Sequence, residues 1–66
     1  MAQTVIRYTK PNGMYGSIRS EATGKRLAMT LRSIENKGNS LTAVTIPMLG
    51  TLTGTEIYKW MINNSR

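Results

Sequence analysis

The chain has 66 residues, and nine Lys and Arg side chains against three acidic ones give it a formal net charge of +6. It contains no Cys and no His, which excludes disulfides and removes the commonest zinc ligands and the commonest catalytic base. A chain this short forms one domain and buries only about 60% of the surface of its unfolded form, so we expect its stability to depend on self-association or on a partner.

The first predicted element is a β-hairpin. Residues 4–10 are rich in β-branched and aromatic side chains and lead into Pro-Asn-Gly at 11–13, which suits a three-residue turn closed by a left-handed glycine. Residues 14–19 form the returning strand. This turn predicts two facing pairs, Ile6 with Ile18 and Tyr8 with Gly16. Ile6, Tyr8 and Ile18 then share the apolar face of the hairpin.

The opposite face of the hairpin is polar and basic. It carries Val5, Arg7, Thr9, Tyr15, Ser17 and Arg19. Arg7 and Arg19 can donate hydrogen bonds to phosphates, and Tyr15 offers a ring on which a base can stack. Lys10 adds a further positive charge beside the turn. Because Arg, Thr and Tyr are also common on solvated sheet faces, an ordinary wet surface is the alternative interpretation.

Residues 21–37 are predicted to form a helix that Ser20 caps and that Gly38 ends. Leu27, Leu31 and Ile34 follow the spacing of a helical apolar stripe that faces the core. Lys25 and Arg32 lie seven residues apart on its flank. We expect them either to contact backbone phosphates or to form the solvated side of the helix.

Residues 41–46 alternate in polarity and end at Pro47, which predicts a third strand. A strand, helix and strand in one sheet require a right-handed crossover, and we expect the third strand to pair parallel to a strand of the hairpin. Residues 48–52 are predicted to form a loop with exposed apolar side chains.

A short second helix is predicted to follow the capping-box pattern that runs from Thr53 to Glu56. Its apolar residues cover an arc of about 200°, wider than the roughly 100° that one core contact needs. Tyr58, Trp60 and Met61 are therefore candidates for a dimer or partner interface, with core filling as the alternative role of Trp60. Residues 63–66 are expected to fray.

These elements predict an α+β fold: a single small domain, residues 1–66, with the order ββαβα and both helices packed on a three-stranded sheet. An enzyme is not expected, because the chain lacks His, Cys and Asp and each Glu has a structural position. Neither a metal nor another cofactor is expected from three scattered carboxylates.

The location and partners are inferred from composition. No apolar run approaches the roughly 20 residues that a membrane span needs. The start of the sequence lacks the pattern of a signal peptide, and the absence of Cys fits a reducing compartment, so a cytoplasmic location is expected. The size and the lack of catalytic groups suit an accessory or regulatory protein, such as those of phages and plasmids.

Two functional hypotheses follow. In the first, the chain is a small basic module that binds nucleic acid, DNA or RNA, through the hairpin face at Arg7, Tyr15 and Arg19. In the second, it is a protein-interaction or inhibitor domain that homodimerises or docks on a protein through the C-terminal helix around Trp60.

Overall fold

Residues 3–65 are described by a computed structural model of the chain. The elements in chain order are β1 (Thr4–Thr9), β2 (Tyr15–Ser20), α1 (Gly24–Asn36), β3 (Ser40–Ile46), β4 (Gly50–Thr53) and α2 (Thr55–Asn64). The four strands form one sheet with the order β2-β1-β3-β4, and every neighbouring pair is antiparallel. The chain therefore has the predicted α+β class, with one more strand than expected.

The β1–β2 turn has the predicted three-residue form. The amide of Lys10 donates to the carbonyl of Met14 at 2.7 Å, and the amide of Gly13 donates to the carbonyl of Lys10 at 2.9 Å. Gly13 has φ +87°, a conformation that glycine adopts without a steric penalty. The side chain of Asn12 accepts from the amide of Met14 at 3.0 Å. Local turn chemistry therefore fixes how the two strands meet.

The register of the hairpin is also as predicted. Ile6 faces Ile18, and Tyr8 faces Gly16. The helices do not cover the whole inner face of the sheet, because α1 packs on β3 and α2 packs on β3 and β4. Ile18 on β2 consequently remains 39% exposed.

The expected parallel pairing of the third strand is wrong. The chain does cross over from β2 through α1 to β3, but β3 pairs with β1 instead of β2. Since β1 is antiparallel to β2, a strand that returns in the direction of β2 must be antiparallel to β1. The first strand is thus inserted between the two strands that the helix connects.

The predicted loop at 48–52 contains a fourth strand. Thr51 and Leu52 pair with Thr45 and Val44 of β3, and only the connection at 47–49 is a turn. Met48 and Leu49 in this turn are exposed, as expected. Leu52, by contrast, packs against the core. The strand extends the sheet beyond β3 and completes a ββαββα order.

Both helices begin later than the sequence predicts. Gly24 has φ +55°, so the chain becomes helical only from that residue, and the Ser20 hydroxyl accepts from the amide of Ala22 at 3.1 Å instead of capping the helix. The second helix has Gly54 at its N-cap with no side-chain cap, because Thr53 belongs to β4. Gly38, with φ +94°, follows the end of α1 as predicted.

The C-terminal helix includes two residues of the segment that was expected to fray. It ends at Asn64, whose side-chain amide donates to the Trp60 carbonyl at 2.8 Å. The Ser65 hydroxyl donates to the Met61 carbonyl at 2.6 Å. Arg66, the last residue of that segment, lies outside the described residues.

A single apolar core lies between the helices and the inner face of the sheet. Its buried members are Ile6, Leu27, Leu31, Ile34, Val44, Ile57 and Met61. The three leucine and isoleucine positions predicted for α1 are all among them. Because both helices bury their apolar sides here, the other face of the sheet has no layer of secondary structure over it in the part of the chain that the structure describes.

Candidate nucleic-acid interface

The uncovered face of the sheet, which we term the open face, is built from alternate residues of all four strands. Directly paired residues share a face, so the register assigns eleven side chains to it: Val5, Arg7, Thr9, Tyr15, Ser17, Arg19, Ser40, Ala43, Thr45, Thr51 and Thr53. The six predicted for the hairpin are therefore joined by five from β3 and β4. The result is a continuous surface of basic, hydroxyl and small side chains.

Arg7 occupies the centre of the open face. It lies opposite Ser17 on one side and opposite Ala43 on the other. Arg19 is on the edge strand opposite Val5, which places it diagonally from Arg7 at about 7–8 Å between backbone positions. Both arginines are exposed. Two guanidinium groups are thus presented side by side from rigid strands.

Tyr15 lies at the end of β2 on the same face. It is opposite Thr9 and diagonal to Arg7, and 82% of its surface is exposed. A shallow depression of about 520 Å³ lies beside it, lined by Arg7, Tyr8, Tyr15, Gly16, Ser17 and Thr42. An aromatic ring, a guanidinium and two hydroxyl groups therefore border one concave surface.

A β-bulge in β3 brings Thr42 to this depression. Arg7 pairs with Ala43 whereas the next residue, Tyr8, pairs with Leu41, so Thr42 is the extra residue of β3. A bulge increases local twist and re-aims a side chain. The sequence does not reveal Thr42 as a site residue, because the irregularity depends on the pairing between β1 and β3.

The acidic residues of the chain all lie outside the sheet, whereas basic residues occur both on the strands and on the helices. The four described strands contain Arg7 and Arg19 and no acidic residue. Glu35 and Glu56 belong to the helices, and Glu21 lies in the loop before α1. Glu35 accepts a hydrogen bond from Tyr58, and Glu21 accepts one from Gln3 at 3.5 Å. The positive charge of the open face therefore has no carboxylate within that face to offset it.

The other predicted phosphate contacts are not on the open face. Lys10 is exposed beside the β1–β2 turn, next to Thr9 at the end of the face. Lys25 and Arg32 are exposed on α1, which packs on the inner side of the sheet. The structure therefore brings Arg7, Tyr15 and Arg19 together and separates Lys25 and Arg32 from them by the thickness of the domain.

The three predicted interface residues of α2 have different environments. Met61 is buried in the core, and Trp60 is half-buried and packs against the core. Tyr58 is 46% exposed, and its hydroxyl donates to Glu35 Oε2 at 2.7 Å. This hydrogen bond, together with the charge of Glu35, raises the pKa of Tyr58 above its ordinary value of 10.0. Ile62, one turn along the helix, is exposed as well.

Sequence reasoning did not assign the threonines of β3 and β4 to the open face. Thr45 and Thr51 face each other across β3 and β4 with their hydroxyl oxygens 3.0 Å apart, and Thr53 lies opposite Ala43. The alternation of residues 41–46 separates Thr45 from Val44 and Ile46 but does not show which side meets the open face of the hairpin. For Thr51 and Thr53 the only signal is their alternation with Leu52, which is too short to distinguish a strand from a loop.

Residues 3–65 contain no group of three or more His, Cys, Asp or Glu side chains placed to hold a metal ion. Neither helix in this range is long and apolar enough to cross a membrane. Comparisons with protein-family models, curated proteins and solved structures find no significant match to the chain.

Proposed function

We propose that this protein is a non-enzymatic module that binds nucleic acid through its open face. The observation that carries the proposal is the position of Arg7, Arg19 and Tyr15 on one uncovered, carboxylate-free face of a four-stranded sheet. Guanidinium groups bind phosphate oxygens with charge-assisted hydrogen bonds, and aromatic rings stack on bases. The net charge of +6 adds long-range attraction toward a polyanion.

Rigidity supports the same function. Arg7 and Arg19 project from paired strands, so their backbone positions are fixed before a ligand arrives. Ordering a flexible segment on binding costs free energy that a preformed surface does not lose. Antiparallel sheets commonly pack one face on the core and leave the other face in solvent. The solvated face can then present side chains to a ligand over a broad area.

The binding test compares two charge-matched double variants. Arg7→Ala with Arg19→Ala removes two charges from the open face, whereas Lys25→Ala with Arg32→Ala removes two charges from α1. We expect the first variant to lower affinity for mixed DNA and RNA oligonucleotides at low salt and the second to change it much less. Fluorescence anisotropy measures both. Equal losses would show attraction by net charge alone, and an unchanged affinity in the first variant would refute the open face as the binding surface.

A protein interface on α2 is the second candidate function. Tyr58 and Ile62 lie one helical turn apart and are 46% and 55% exposed, so they form a small apolar patch on the outer side of the helix. Light scattering after size-exclusion chromatography tests self-association. A dimer that becomes monomeric on Ile62→Ser, but not on Met29→Ser at an exposed site of α1, would support it. A monomer at every concentration would exclude self-association through α2.

A further inference from the structure

The width of the open face bears on the kind of nucleic acid that it fits. Four strands at a spacing of about 4.8 Å place β2 and β4 about 14 Å apart, before side chains are added. The major groove of B-DNA is about 12 Å wide and admits a helix or a two-stranded ribbon. Since β1 is flanked by β2 and β3, Arg7 cannot enter a groove without its neighbours. The face is therefore a platform and does not fit a groove.

Tyr15 indicates what such a platform can bind. The residue is 82% exposed, and it lines the depression, so a planar group can lie against its ring. In a duplex every base already stacks on its neighbours, and removing one from the stack costs a few kcal/mol. In a single strand the bases are free to stack on a protein ring. The exposed ring of Tyr15 is therefore suited to stacking on an unpaired base.

The polar border of the depression complements a nucleotide. Arg7 is diagonal to Tyr15 across the β1–β2 pair, at a backbone separation of about 7–8 Å. Ser17 and Thr42 add hydroxyl groups to the same border. A base on Tyr15 would thus have its phosphate within reach of a guanidinium and its edge within reach of hydroxyl donors and acceptors.

Resting on the proposed nucleic-acid function, we infer that the ligand class is single-stranded nucleic acid, with one base stacked on Tyr15 and an adjacent phosphate bound by Arg7. The remaining threonine-rich part of the face, on β3 and β4, then tracks the neighbouring nucleotides. Nothing in this arrangement requires a particular base, so modest sequence preference is expected.

The test measures binding of a single strand of about 15 nucleotides, as DNA and as RNA, and of the matching DNA duplex, by fluorescence anisotropy. We expect the single strands to bind at least about tenfold more tightly than the duplex. Tyr15→Ala should weaken single-strand binding roughly five- to 150-fold, the loss of one stacked base. Tyr15→Phe, which keeps the ring, should bind like the parent protein. If the single-stranded RNA binds more tightly than the single-stranded DNA, the protein also contacts the 2′-hydroxyl. That result would support the same inference.

Two controls separate the failure of this inference from failure of the proposed function. Tyr15→Leu keeps an apolar side chain on the edge strand but lacks a ring, so weak binding by a folded Leu variant confirms a stacking role even where the Ala variant unfolds. Tyr58→Ala removes an exposed tyrosine from α2 and should leave binding unchanged. Equal binding of duplex and single strand, with no effect of Tyr15→Leu, would overturn the single-strand inference while an effect of the Arg7 and Arg19 variant upholds the proposed function. No binding to any of the three ligands would overturn both.

Discussion

The ring of Tyr8 lies directly against Gly16 of the neighbouring strand. A Cβ atom built on Gly16 would lie 2.7 Å from Cζ of Tyr8, which is closer than two carbon atoms can approach without a shift. Tyr8 and Gly16 face each other in the β1–β2 register, so the ring occupies the space that a side chain at Gly16 would fill. Gly16 has no side chain of its own to pack in this edge strand, and the ring of Tyr8 covers it.

Gly16→Ala is therefore expected to destabilise the domain by about 1–3 kcal/mol, because the Tyr8 ring must move away from its packing against the core. Urea unfolding measures the change in the free energy of unfolding. A double-mutant cycle with Tyr8→Ala provides the control, since Gly16→Ala should cost much less once the ring is absent. A cost that is independent of Tyr8 would show that backbone conformation, and not the ring, requires glycine here.

Arg7→Lys tests whether the guanidinium does more than supply charge. A lysine keeps the positive charge at the centre of the open face but cannot form the two parallel hydrogen bonds of an arginine with a phosphate. We expect affinity for a single strand to fall while the salt dependence stays the same. Arg7→Ala should lower the slope of log K against log salt by about 0.7. If both the Lys and the Ala variants keep the affinity and the salt slope of the parent protein, Arg7 does not contact a phosphate.

The parts of the fold that could be predicted from the sequence are those that local chemistry determines. The Pro-Asn-Gly turn fixes the pairing of Ile6 with Ile18, and with it the face on which Arg7 and Arg19 lie. The stripe of Leu27 and Leu31 in α1 is equally local. These features could be predicted because each depends on residues close together in the chain. The hairpin among them contributes the central residues of the candidate site.

The missing parts depend on contacts between distant segments. A strand of four residues, Gly50–Thr53, carries too little pattern to be recognised, and it forms because β3 offers a free edge. Whether β3 pairs with β1 or β2 is decided by packing over the whole sheet, so its direction relative to its neighbour was predicted wrongly. The bulge at Thr42 arises from the same pairing, which is why that residue was absent from the predicted site.

The hydrogen bond between Tyr58 and Glu35 predicts a pH-dependent contribution to stability. The folded state holds the phenol proton more tightly than the unfolded chain, since the bond to Glu35 raises the pKa of Tyr58 above 10.0. The contribution is therefore present below pH 10.0 and is lost as the pH rises through the raised pKa. Because the pair is exposed, Tyr58→Phe should cost at most about 1 kcal/mol at neutral pH.

Urea unfolding of the parent protein and the Phe variant, at neutral pH and above pH 10.0, measures this contribution as a difference. Comparing the two proteins removes the effects of every other group that titrates at high pH. Absorbance titration of the tyrosines checks the direction, because the Phe variant should lack the group that ionises at the raised pKa. A stability difference that does not shrink with rising pH would show that the Tyr58 hydroxyl acts through packing.

Leu31 of α1 is buried in the core between the helices and the sheet. Its replacement tests whether α1 packs on the inner face. The side chain is fully buried, so Leu31→Ala should cost about 2–5 kcal/mol. A domain of this size has a total stability of only about 3–10 kcal/mol, so a large share of the molecules should unfold. Met29→Ala, at a 62% exposed site of the same helix, should change stability by less than about 0.5 kcal/mol. Equal, small costs at both positions would mean that Leu31 is not buried and that α1 does not pack on the inner face of the sheet.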